Sequence, residues 1–198
     1  MSVYTEVENA FEPPYLRSLE RQILSSRFLV ANNLNRDFVG TRGFSIVFHR
    51  SELPRVEREF PYFAGYLKRA LREDCNAFYL NPLLLAQGSR VDPHVDRSLR
   101  AYCPTIVCPV VVSVLYVVVP EPLAGGSLVL SRGKRTLGKV RPAVNKLVVF
   151  GGDLMHAVER LDSPGRRLSL VCEQYQLSDD ELSDVPKFQV EQGPRAYD

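Results

Sequence analysis

His94, Asp96 and His156 are the side chains of this sequence best suited to grip a metal ion. His94-Val95-Asp96 offers an imidazole and a carboxylate two positions apart. On an extended segment side chains alternate with period two, so both ligands project from one face. His156 follows 60 residues after Asp96 (156 − 96), a gap that only a folded chain can close. Two imidazoles and one carboxylate on one face of an octahedral ion leave three positions open. That donor set suits ferrous iron that must still admit a co-substrate and oxygen.

H-x-D alone is weak evidence, because it arises often by chance. The chain has only three histidines, however, and the two nominated ones sit in specific settings. Gly88 reads as the opening of a turn and Pro93 as a fixed extended residue just before His94. Lys146 to Phe150 is an apolar run ending in Gly151-Gly152-Asp153, after which Leu154 to Val158 resumes as strand. His49, between Phe48 and Arg50 at a strand end, reads as structural.

Arg167 and Ser169 form a second informative pair. In Gly165-Arg166-Arg167-Leu168-Ser169-Leu170-Val171-Cys172 the strand period puts Arg167, Ser169 and Val171 on one face and Arg166, Leu168, Leu170 and Cys172 on the other. If Leu168 and Leu170 pack under helices, a guanidinium and a hydroxyl point into the interior. A buried guanidinium is costly unless an anion meets it, and a bidentate carboxylate would do so. A one-residue slip of register would put Arg166 there instead.

The elements needed to position these groups can be read along the chain. Pro13-Pro14 opens a helix with Leu16, Leu19, Ile23 and Leu24 on one side, and Pro61 opens another with Phe63, Leu67, Ala70 and Leu71. Phe38 to Phe48 reads as a loop or turn feeding a strand. Strands are expected over 77–85, 91–96, 110–119, 127–130, 146–150, 156–161 and 168–175, separated by Gly and Pro turns. That pattern argues for a mainly β fold with flanking helices, a jelly roll or cupin-like barrel. We expect one domain over 1–198, with helical support and a substrate-side loop in 1–75, the β core in 76–176 and a partly ordered C-terminal extension in 177–198.

At 198 residues and 45% apolar composition, one substantial core can form. The net charge of +2 is too balanced to suggest a nucleic-acid partner. The basic stretch from Arg132 to Arg141 reads as a solvated hairpin. No secretory leader is expected, because Met1 to Glu12 carries three glutamates and no apolar segment. The apolar stretch 105–120 is too short and Val-rich to span a membrane as a helix. Cys75, Cys103, Cys108 and Cys172 lack C-x-x-C spacing, which fits reduced thiols and a cytoplasmic setting.

His94-x-Asp96, Gly125-Gly126-Ser127-Leu128, Asp153-x-x-His156-x-Val158 and Gly165-x-Arg167-x-Ser169-Leu170 together resemble the motif series of the Fe(II)/2-oxoglutarate-dependent dioxygenases. The resemblance covers roughly 76–176 and is strongest to the prolyl-4-hydroxylase-like branch. It implies a double-stranded β-helix, with iron held by His94, Asp96 and His156 and the distal carboxylate of 2-oxoglutarate held by Arg167 and Ser169. Val112-Ser113-Val114-Leu115-Tyr116 is similar to the strand that carries a further tyrosine contact, which nominates Tyr116. The sequence departs from many relatives at Leu84 and Leu85, where a tyrosine is usual.

The implied reaction is hydroxylation of an unactivated C–H bond with O2, 2-oxoglutarate going to succinate and carbon dioxide and ascorbate as a candidate reductant. The carboxylate at Asp96 favours hydroxylation over halogenation, since halogenases of this family have a small residue there. The expected substrate is a small molecule or peptide, a prolyl or other amino-acid unit, with no nucleic-acid or membrane partner. Arg42, Arg97 and Arg100, from 36–49 and 97–104, are candidate substrate contacts at the iron mouth. Two alternatives stay open: a metal-binding cupin-type protein that does not use 2-oxoglutarate, and a nucleic-acid demethylase of the same superfamily.

Overall fold

The computed structural model describes residues 3–31 and 37–192. Arg36, at the start of one expected wall of the mouth, and 193–198 of the expected extension lie outside the described residues. The elements in chain order are β1 (Tyr4–Val7), α1 (Pro13–Leu24), β2 (Val30–Ala31), β3 (Phe38–Gly43), β4 (Ser45–His49), α2 (Leu53–Glu59), α3 (Ala64–Ala70) and β5 (Ala77–His94). They continue with β6 (Val111–Val118), β7 (Leu128–Arg132), β8 (Arg135–Val140), β9 (Leu147–Gly151), β10 (Met155–Val158), β11 (Arg166–Tyr175), α4 (Asp179–Asp184) and β12 (Phe188–Glu191).

The strands form a nearly closed antiparallel sheet whose path runs β1-β9-β6-β11-β5-β10-β7-β8, with β3 and β4 on the other edge of β5. This is a double-stranded β-helix, the form of jelly roll that the family resemblance implies. β5 joins its two halves. Over Ala77 to Ala86 it pairs with β11, and beyond Val91 it pairs with β10.

The helices cover the outer face. Leu16, Leu19 and Ile23 of α1 share one buried cluster with Leu168, Leu170 and Cys172 of β11. Removing that apolar surface from water is worth about 25 cal/mol per Å2, and it fixes the register of β11. Arg166 accordingly points outward to Glu20 at 3.7 Å, while Arg167 is only 1% exposed.

Three features differ from the sequence reading. β5 runs through Gly88 without the expected turn. Gly88 sits at φ +88°, and opposite it β3 shifts register between Val39 and Thr41, so the strand bends instead of ending. The short helix α2 escaped detection, since its seven residues bury only Val56 and carry no readable period. The segment after Leu177 is built into the fold through Gln192: Ser178 and Glu181 form a capping box at α4, and β12 pairs with β4. His49 is structural as expected, its Nε2 lying 3.0 Å from the Val185 carbonyl. No helix is long and apolar enough to cross a membrane among the described residues.

Candidate metal centre and its two chambers

The antiparallel register sets His156 of β10 directly opposite His94 of β5, with ring centroids 4.4 Å apart. Asp96 follows two residues beyond His94 and places Oδ1 at 3.2 Å from His94 Nε2 and Oδ2 at 3.3 Å from His156 Nε2. These are the only residues among those described whose donor atoms converge as a metal group, all within 4.8 Å of one another. Cys103 and Cys108 form no such group, and all four cysteines are free.

The rings are oriented from behind. His94 Nδ1 lies 2.9 Å from the Asp92 carbonyl, and His156 Nδ1 lies 3.1 Å from the Leu154 carbonyl. A carbonyl can only accept, so each Nδ1 carries the proton and each Nε2 presents a lone pair to the centre. Phe38 and Phe150 pack against the two imidazoles.

His94 Nε2 and Asp96 Oδ2, both buried, have no hydrogen-bond partner among the described residues. Such orphaned groups cost about 1–3 kcal/mol each. Neighbouring ligands around an octahedral ion held at about 2.1 Å lie about 3 Å apart, close to the spacing seen here. A divalent metal fits this donor set. Without one, burial works to lower the pKa of His94, but the Asp96 carboxylate beside it outweighs that and raises it to about 9. Burial pushes Asp96 the other way from its two imidazole neighbours, which prevail and hold it well below the usual carboxylate range.

Two cavities meet at this triad. The inner one is narrow, about 50 Å3, and runs into the barrel past His156 to Tyr116 and Arg167. Arg167 donates through Nη1 to the Gly126 carbonyl and through Nε to Ser169 Oγ at 3.3 Å, with its guanidinium 5.1 Å from the centre of the Tyr116 ring. No carboxylate meets it among the described residues, and burial lowers its pKa from the ordinary arginine value. The Tyr116 hydroxyl is likewise buried without a partner.

The Gly125-Gly126 turn supplies the carbonyl that steadies Arg167. Both glycines have φ near +70°, and a Cβ on Gly125 would stand 2.0 Å from the Arg160 carbonyl oxygen, so only glycine can make this turn. A guanidinium that meets no anion and a phenol that meets no acceptor among the described residues therefore line the same cavity. A carboxylate would satisfy both.

The outer cavity, about 360 Å3, opens on the other side of His94 and Asp96. Arg97 and Arg100 stand at its exposed rim, and Asp37 and Phe38 of the expected 36–49 wall also line it. Arg42 is elsewhere: it pairs opposite Leu84 in the β3–β5 ladder and donates to the Leu29 carbonyl at 2.9 Å. The sequence reading missed Asn81 and Glu173, which form the buried floor of this chamber. The signal for Glu173 was present, since it continues the inward row of Arg167, Ser169 and Val171. A lone carboxylate inside the apolar run of β11 marks an interior feature.

No family model and no curated protein matches this chain. Among solved structures it is similar to a prolyl-4-hydroxylase of Pseudomonas putida, with TM-score 0.59 and 19% identity over 90% of this chain and 95% of that one. A prolyl hydroxylase of Trichoplax adhaerens, in complex with a hypoxia inducible factor peptide fragment, aligns with TM-score 0.57 and 13% identity over 92% of this chain and 87% of that one. HygX of Streptomyces hygroscopicus, bound to nickel, 2-oxoglutarate and hygromycin B, aligns with TM-score 0.54 and 12% identity over 87% and 83%. The fold is thus the one found in 2-oxoglutarate–Fe(II) oxygenases, prolyl-4-hydroxylases among them.

Proposed function

We propose that this protein is an Fe(II)- and 2-oxoglutarate-dependent oxygenase that hydroxylates an unactivated C–H bond, with a prolyl or other amino-acid unit, free or in a peptide, as substrate. The observation that carries the reading is Arg167: a buried guanidinium that meets no anion among the described residues, lying over the ring of Tyr116, whose hydroxyl is unpartnered, in a cavity that also reaches the triad. A metal protein with no use for 2-oxoglutarate would leave both donors without a purpose.

His94, Asp96 and His156 would hold the iron through Nε2, a carboxylate oxygen and Nε2. Arg167 and Tyr116 would hold the distal carboxylate of 2-oxoglutarate, with Ser169 steadying the guanidinium, and so aim its keto acid end at the triad. With iron and 2-oxoglutarate held there, O2 would be the oxidant, one oxygen atom going into the new hydroxyl group and the other into succinate, with carbon dioxide released. The apolar walls of the inner chamber, Leu83, Val112, Val114 and Val158 among them, exclude water around that co-substrate. The outer chamber would admit the substrate past Arg97 and Arg100.

Succinate formation from 2-oxoglutarate should require ferrous iron and should vanish in His156→Ala, which should also lose metal on desalting. Metal-dependent succinate production that survives His156→Ala would remove the ligand assignment. Wild-type protein that binds iron yet neither binds nor decarboxylates 2-oxoglutarate would support the cupin-type alternative instead.

A further inference from the structure

The floor of the outer chamber is built from hydrogen-bond acceptors. Asn81, on β5 and 4% exposed, has an Oδ1 with no hydrogen-bond partner among the described residues. Glu173, on β11 and 3% exposed, accepts from the Ser98 backbone N–H at 3.2 Å and from the hydroxyls of Ser98 and Tyr175. These three donors aim the carboxylate but bring no positive charge to it, and Glu173 makes no ion pair among the described residues. Arg97 and Arg100 also form no ion pair among the described residues, and they sit at the exposed rim.

Acceptors below and guanidinium groups without an ion pair above are the complement of a molecule that carries both an amino group and a carboxylate. A carboxylate offers about four acceptor positions, so one remains on Glu173 after its three donors. A buried carboxyl without a counter-charge and an amide oxygen without a donor are each costly, and one ammonium or amine N–H group would relieve both. We propose that the outer chamber recognises the free amino group of a small-molecule substrate, in the simplest case a free amino acid, through Asn81 and Glu173, with Arg97 and Arg100 receiving its carboxylate. A prolyl unit inside a peptide has neither an N–H nor a free carboxylate to offer there. This assignment rests on the oxygenase reading for its chemistry but not for its binding.

The test is calorimetric titration of the manganese-loaded protein, with 2-oxoglutarate present, by the common amino acids, their N-acetyl derivatives and a short prolyl peptide. At least one free amino acid should bind, and its N-acetyl derivative should bind at least about 10-fold more weakly. Asn81→Leu should weaken the amino acid by a similar factor while Tm holds or rises, because an unsatisfied buried group has been removed. Glu173→Gln should weaken it as well. Preferred binding of the N-acetyl forms or the peptide, no binding by any free amino acid, or a fall in Tm in Asn81→Leu without loss of affinity would each overturn the proposal. Succinate formation without added substrate reports separately on the oxygenase reading, so the two ideas can fail independently.

Discussion

The inner and outer chambers share a wall but bury opposite kinds of ionisable group, a base in one and an acid in the other. Arg167 and Glu173 project from the same face of β11, six residues and about 20 Å apart along the strand, with Val171 between them lining both cavities. Among the described residues, one end holds a buried guanidinium that no anion meets, the other a buried carboxyl that no cation meets. The metal triad lies where the two spaces join. Core positions in a barrel are normally apolar, and an uncompensated charge there lowers stability. A basic and an acidic group on one row, each buried without a counter-charge among the described residues, are understandable as halves of two binding sites, each completed by a different ligand.

Breaking the inner half should give the largest effect. Arg167→Met keeps much of the volume and removes the charge. We expect 2-oxoglutarate to bind about 100-fold more weakly by calorimetry, the loss of roughly 3 kcal/mol of charge-assisted hydrogen bonding, while the ligand-free protein is as stable or more so. A marked loss of stability would instead make Arg167 a structural partner of Gly126 and Ser169.

The outer half can be read through pH. Burial, and then the charge of Asp96, raises the Glu173 carboxyl from 4.5 to about 8, against the pull of its Ser98 and Tyr175 partners. The folded state therefore keeps a proton that the unfolded chain loses, and stability falls as pH rises between those two values. The slope is at most about 1.4 kcal/mol per pH unit. In metal-free protein the difference in unfolding free energy between wild type and Glu173→Gln should carry this slope. Taking that difference also subtracts His94, whose raised pKa gives stability that is lost as pH climbs towards 9. A flat difference would mean that Glu173 is ionised throughout and already compensated.

The smallest change is Ser169→Ala. Its hydroxyl accepts from Arg167 Nε at 3.3 Å and serves mainly to steady the guanidinium. Binding of 2-oxoglutarate should weaken only about 2- to 10-fold. A loss as large as that of Arg167→Met would place the hydroxyl in direct contact with the ligand.

Much of the inner chamber was legible in the sequence, because it obeys local periodicity. His94-x-Asp96 and Arg167-x-Ser169 each lie on one strand, and alternation alone puts their members on a common face. Glu173 obeys the same rule but was passed over, since a single Glu carries no motif. Arg42 shows the reverse: its chemistry suits a substrate contact, yet its place in the β3–β5 ladder turns it to the Leu29 carbonyl.

Residue types and period-two spacing determined by themselves the strand-rich fold, the nominated donor set and the inward row of β11. They did so because alternation and apolar burial act within a few residues of each position. Only the tertiary structure decided that β5 bends through Gly88 rather than turning, that His156 lies across from His94, and that Asn81 and Glu173 line one cavity. Those outcomes depend on pairings between strands distant in the chain, and such pairings are set by how the whole sheet closes over its core.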